Sequence, residues 1–316
     1  MGACGALLLS PQEMREWAES VRAASAAPFQ INLWVPEPPP ARSFEHEARV
    51  REFLAHWGPP VPEDAAEQTP RDFTAQAEAL LSIRPAVASS IMGVFPSGLV
   101  ASLKSAGIAW YATVTTVNEA VLAEAAGADA IIAQGMEAGG HRGSFAAAAA
   151  EAQQVGLLAL LPQVVDAVRL PVVAAGAIAD ARAIGAALLL GASAVQIGTA
   201  FLRCPETCLP QAWSDALAAA RPEDTTLTRA FSGRAGRALV TDYVRAAAGA
   251  NAPAPAPYPV QRGLTAPMRR KAVEQGTVRT MQAWAGQAAR LARPEPAAQV
   301  VARLWQETVT LLGNPS

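Results

Sequence analysis

The feature that most limits the fold is an alternation. Short apolar runs near residues 5, 29, 86, 108, 130, 171 and 194 read as buried strands, and the segments between them carry a helical period. Strands separated by helices pair in parallel through right-handed crossovers, and such folds place their chemistry at the C-terminal ends of the strands. Seven strands are one fewer than a closed barrel needs, and the first lies almost at residue 1. The expected fold is therefore α/β: a TIM (β/α)8-type barrel lacking its first strand and helix.

Local signals set the expected boundaries. Residues 5–9 read as a strand, followed by Ser10 as N-cap, Pro11 at the first helical position and Glu13 as capping-box partner. Strands are expected at 29–35, 86–91, 108–114, 130–133, 171–175 and 194–197. Helices are expected at 45–57, 71–83, 99–106, 117–126, 157–168 and from Asp180 to residue 190, with Thr115 or Thr116 capping the fourth. The Ala-rich stretch 144–156 reads as either a helix or a mobile loop. Beyond about residue 205 the period changes: helical stretches at 211–220, 269–274, 280–291 and 297–312 surround a Pro/Ala-rich connector at 249–259. This divides the chain into a barrel (1–205) and a mainly helical C-terminal region (206–316) that closes the active site.

Composition removes several functions. A net charge of −2 with 16% charged residues leaves no basic footprint for nucleic acid or anionic lipid. The apolar stretches are too short or too broken by glycine to span a bilayer. Three cysteines without dense spacing point to a reducing compartment, the cytoplasm. Cys204 and Cys208 have no further Cys or His nearby, so they read as plain thiols and no metal site is expected.

The run Gln134-Gly135-Met136-Glu137-Ala138-Gly139-Gly140-His141-Arg142-Gly143 follows the strand at 130–133. Glycines let the backbone turn sharply and approach a ligand. A loop of this kind also serves as a plain connection with a solvated histidine. Against that, the chain has only three histidines, the other two (His46, His56) lie in a polar helical stretch, and Gln134 and Glu137 add polar groups the turn does not need for folding. His141 is thus the candidate base, and an unperturbed imidazole near 6.5 suits abstraction of a proton from a weak carbon acid. Asn32, inside an apolar strand, is either a satisfied structural amide or a ligand contact.

Two further turns belong to the same rim: Gly176-Ala177-Ile178 and Gln196-Ile197-Gly198-Thr199. Backbone N–H groups there form an anion site, and in barrels a phosphate sits in the loops after the last two strands. This order favours a phosphorylated ligand. There is no Gly-x-Ser-x-Gly elbow, no early Gly-x-Gly-x-x-Gly and no P-loop.

The run GADAIIAQGMEAGGHRGSF (127–145) resembles the signature of class I nitronate monooxygenases, and PVVAAGAI (171–178) and GASAVQIGTAFL (191–202) resemble their FMN phosphate segments. INLWVP (31–36), YATVTTVNEA (111–120) and TRAFSGRAGR (228–237) match as well. The resemblance implies an FMN-containing TIM barrel that oxidises alkyl nitronates with O2 to a carbonyl compound and nitrite. It implies FMN contacts at Asn32, Gln134, Gly139, Gly140, Gly176, Gln196, Ile197, Gly198 and Thr199, with His141 as the base toward a neutral nitroalkane. The partners implied are a small nitronate or nitroalkane and O2. Three departures stand out: the family's opening Ala-Pro-Met-x-Gly-Gly turn does not occur, Ala177 stands where the family has glycine, and Ser90 replaces an aromatic. The alternatives are an FMN-dependent NAD(P)H reductase of the enoyl or quinone reductase type, and an inactive paralogue.

Overall fold

A computed structural model describes residues 1–67 and 69–313. Ten strands are present among them: β1 (Gly2–Gly5), β2 (Phe29–Trp34), β3 (Val87–Ile91), β4 (Ala109–Val114), β5 (Ala130–Gln134), β6 (Gly140–His141), β7 (Val172–Ala175), β8 (Ala194–Gln196), β9 (Thr225–Thr228) and β10 (Gly236–Leu239). Seven of them form one curled parallel sheet in the order β1-β2-β3-β4-β5-β7-β8, a TIM-barrel-like α/β arrangement. The sheet follows the chain order, as consecutive right-handed crossovers require. β1 and β8 lie at its two edges.

The crossover helices are α1 (Pro11–Ala24), α3 (Phe73–Ile83), α4 (Ser97–Ala106), α5 (Val117–Ala125), α6 (Leu157–Ala167) and α7 (Ala181–Leu189), with α2 (Phe44–Ala55) inserted before α3. Their starts are coded locally. Ser10 and Glu13 form a reciprocal capping box on α1, Asp72 caps α3, Thr116 caps α5 and Asp180 caps α7. One large apolar cluster lies between the sheet and these helices, with Leu33, Leu103, Trp110 and Ile131 fully buried. The Trp110 indole donates to Ser90 Oγ at 3.0 Å, so the serine that departs from the family pattern partners a buried N–H.

Beyond the barrel lie α8 (Gln211–Ala219), α9 (Asp242–Ala247), α10 (Val260–Leu264), α11 (Ala266–Glu274) and α12 (Ala297–Leu312). A second apolar cluster joins Val50 and Leu54 of α2 to Phe231, Tyr243, Leu264 and Met268. A small antiparallel sheet, β6-β10-β9, links the glycine-rich loop to this lobe, with Gly236 opposite His141. No helix among the described residues is long and apolar enough to cross a membrane.

Two local expectations are corrected, and of the two forms expected for a third stretch the helix is absent. The first strand is Gly2–Gly5, not 5–9: it pairs with Phe29–Asn32, and the chain turns at once, with Leu9 N–H donating to Ala6 O. Residues 280–291 form no α-helix: past Thr280 a single bridge at Trp284 and a 3-10 turn at Ala289–Leu291 are their regular structure, because the backbone between is committed elsewhere. Ala285 N–H bonds to Arg237 O, Gly286 N–H to Thr199 Oγ1 and Gln287 N–H to Glu137 O. The Ala-rich stretch 144–156 contains only a short 3-10 turn at Ala147–Ala149.

Candidate active site

The C-terminal ends of the barrel strands surround a cavity of about 380 Å3. Asn32 of β2 and Gln134 of β5 face it, as does Gly139. Gly176, Gln196, Ile197, Gly198 and Thr199 line it from the last two strand–helix turns. Gly140 and His141 lie beside this cavity rather than in its lining.

The floor is polar, and its groups form a chain. Gln30 Nε2 donates to Ser89 Oγ at 2.7 Å, and Ser89 Oγ donates to Asn32 Oδ1 at 2.9 Å. Asn32 is therefore anchored through its Oδ1 and also lines the cavity. Gln134 pins the glycine-rich loop at its return: its Oε1 accepts from Gly143 N–H at 2.8 Å and its Nε2 donates to His141 O at 3.2 Å.

The two late turns present donors. Among the described residues, the N–H groups of Gly176, Ala177, Gly198 and Thr199 make no hydrogen bond within the protein. Four such groups around one cavity suit an anion. Gly176 has φ +115° and Ala177 φ +53°, so the turn needs two successive left-handed residues, and alanine occupies the second. A Cβ on Gly139 would come within 2.4 Å of Gly286 N, whereas a Cβ on Gly198 would meet nothing within 4 Å. The first glycine admits a neighbouring backbone; the second leaves open space.

His141 lies between two tryptophans. Its ring centroid is 4.8 Å from Trp34 and 4.9 Å from Trp284. Its Nε2 is 2.8 Å from Ser232 Oγ, and that fully buried hydroxyl also donates to Arg234 O at 3.1 Å and accepts from Arg234 N–H at 3.3 Å. With the hydroxyl proton on Arg234 O, the oxygen accepts from Nε2–H, and Nδ1 carries the free lone pair. Burial, and then the charges of Arg234 and Arg262, push the imidazole down to about 3. This corrects the expectation of an unperturbed base: the neutral ring is strongly favoured, and its basicity is low.

Arginines dominate the surroundings. Arg142, Arg234 and Arg237 are each nearly buried. The terminal nitrogens of Arg142 donate to the carbonyls of Gln134, Thr115 and Gln153, and among the described residues no carboxylate forms an ion pair with it. Arg237 donates to Met136 O, and Arg234 donates to Ser144 O and pairs with Glu37. The Nε groups of Arg142 and Arg234 are buried without a partner.

Sequence reasoning misassigned or missed some of these parts. Glu137 serves the fold: its carboxylate accepts from Leu157 N–H at 3.0 Å and so caps α6, whose N-cap position is Gly156. Glu119 of α5 holds the far end of the loop by accepting from Thr115 and Phe145 N–H. Ser232 and Arg234 lie in the basic Gly-containing turn that the sequence displays, but their proximity to His141 spans about ninety residues, a separation that local pattern does not reveal.

Comparison with known proteins agrees with this geometry. The nitronate monooxygenase family model matches residues 1–307. A probable nitronate monooxygenase of Staphylococcus aureus (strain Newman) is 33% identical over 309 residues, covering 96% of this chain and 86% of that protein. The solved nitroalkane oxidase of Streptomyces ansochromogenes superposes with a TM-score of 0.88 at 37% identity, over 99% of this chain and 90% of that one. FabK of Thermotoga maritima follows the same fold with a TM-score of 0.73 at 25% identity, over 98% of this chain and 85% of that one.

Proposed function

The chain belongs to the nitronate monooxygenase family, an oxidoreductase family, and from that premise we propose that it oxidises alkyl nitronates with O2 to a carbonyl compound and nitrite, using FMN. The observation that carries this reading is the pairing of two features on one rim. Unpartnered backbone N–H groups at Gly176, Ala177, Gly198 and Thr199 sit at one end of the cavity. An imidazole whose proton affinity is lowered by burial and by the charges of Arg234 and Arg262 sits beside the cavity.

The cavity suits FMN in its chemistry. Gly176, Gly198 and Thr199 would hold the phosphate through their N–H groups, and the open space at Gly198 leaves room for it. Asn32, Gln134 and Gln196 would meet the polar edge of the ring system, and Gly139 keeps the loop close without filling the cavity. FMN, when bound, supplies the electron acceptor for the nitronate. The protein's own residues bind and orient the substrate. Burial is the main cause of the imidazole's low proton affinity and does not favour an anion; the lesser contribution, the charges of Arg234 and Arg262, favours a nitronate near His141 over its neutral parent. His141 Nδ1 would accept the α-proton of a neutral nitroalkane, but its low basicity makes that step slow. Preformed nitronate should therefore be the better substrate.

The test is nitrite release from a nitronate and from its parent nitroalkane by the FMN-loaded protein and by His141→Ala. The reading expects the nitronate to be preferred, with His141→Ala impairing the nitroalkane far more than the nitronate. Equal loss on both substrates would remove the proton-accepting role. The alternative is an NAD(P)H-driven reductase on the same scaffold. Its support is likeness of fold, and flavin reduction by NADH would favour it. We further propose a cytoplasmic location, in keeping with three unpaired thiols.

A further inference from the structure

A second cavity of about 380 Å3 is lined from just beyond the strand residues that line the first. Gly5, Asn32 and Ile91 line the lower cavity, and Leu7, Trp34 and Met92, one or two residues further along the chain at the ends of these three strands, line the upper. Strand register places Gly5 beside Asn32 and Trp34 beside Ile91, so the two chambers are lined from neighbouring positions of the same strand ends, although no residue lines both.

The chamber is mostly apolar. Trp34, Phe73, Met92 and Tyr258 contribute its walls, and Pro36 and Pro38 belong to its lip. Trp34 is shared: one side lines the chamber, and its ring centroid is 4.8 Å from that of His141. Arg234 also lines the chamber and is tied through Ser232 to His141. Met92 holds φ +68°, a conformation that costs a non-glycine residue and that persists where the surroundings enforce it. The strain fixes a buried, flexible apolar side chain as part of the wall. The lining also carries charged groups: Arg234 pairs with Glu37, and Arg42, Glu67 and Arg71 contribute further ones. The apolar wall beside Arg234 is complementary to an amphipathic anion, with its carbon chain against Trp34, Phe73 and Met92 and its charged head toward Arg234 and His141.

We propose that this chamber receives the carbon chain of the nitronate, and that the enzyme therefore selects longer primary alkyl nitronates over short ones. The proposal rests on the functional reading above and names its substrate class. Each methylene moved from water into the chamber should raise kcat/KM about fourfold, until the chamber is filled.

The test uses the FMN-loaded full chain and the nitronates of nitroethane, 1-nitrobutane and 1-nitrohexane. A stepwise rise in kcat/KM that Leu7→Trp flattens by occupying the chamber supports the proposal. A flat series in the unmodified protein, or a Leu7→Trp variant that keeps the full slope, overturns it while leaving nitronate oxidation intact. Calorimetric binding of neutral 1-nitrohexane and nitroethane gives a readout without turnover. If no nitronate is oxidised, the functional reading fails, and binding decides the chamber: tighter binding of 1-nitrohexane that Leu7→Trp removes upholds it, and equal binding of the two overturns it.

Discussion

His141 is kept neutral by burial and by arginine charge, and this has a consequence for stability. In the unfolded chain the imidazole titrates near 6.5; in the fold it does so at about 3. A depressed folded value means that the unfolded state takes up the proton first. The contribution is complete above pH 6.5 and is lost progressively as pH falls toward 3. His141→Gln should flatten the fall in stability over that window, measured by denaturant unfolding at a series of pH values; an unchanged slope would show that the ring titrates normally. Ala177 is a second residue-scale case. It occupies a left-handed position at φ +53° where glycine is at ease. Ala177→Gly should raise stability by about 0.5–1 kcal/mol, the relief of strain less the extra freedom of glycine in the unfolded chain. A thermal melt checks this, and a loss of stability would mean that the methyl packs usefully.

At the scale of the elements, the glycine turns separate folding from binding. Gly139 lies against the segment that carries Gly286, so Gly139→Ala should force the two backbones apart and cost about 1–3 kcal/mol. Gly198 faces open space, so Gly198→Ala should leave stability within about 0.5 kcal/mol. It should nonetheless weaken FMN, because the methyl enters the cavity between the N–H donors. A paired melt and flavin titration distinguishes the two variants, and a Gly198→Ala protein with full flavin affinity would remove this turn from the phosphate site. The same contrast shows what the sequence could reveal. Caps at Ser10, Asp180 and Thr116 and the alternation of strand and helix are local, so they are legible. Residues 280–291 have a helical composition but are drawn out by bonds to Arg237, Thr199 and Glu137, partners remote in sequence. That composition also hides Trp284, which flanks His141.

Across the whole molecule, two structures meet at one point. The parallel sheet supplies polar strand ends and unpartnered N–H donors; the second lobe supplies Ser232, Arg234, Tyr258 and Trp284. The barrel half of the site is visible in the sequence as glycine turns at expected strand ends. The other half is visible only as a basic turn, because its meaning depends on β10 pairing with β6 across the glycine-rich loop. The net charge of −2 gives no hint of the local positive field, since buried arginines and surface carboxylates cancel in any sum over the chain. The most direct test of the account is the visible spectrum of the purified chain after FMN addition, followed by anaerobic ethyl nitronate. The protein should show a bound-flavin spectrum that bleaches with the nitronate and not with NADH. A protein that binds no flavin, or whose flavin bleaches with NADH alone, would contradict it.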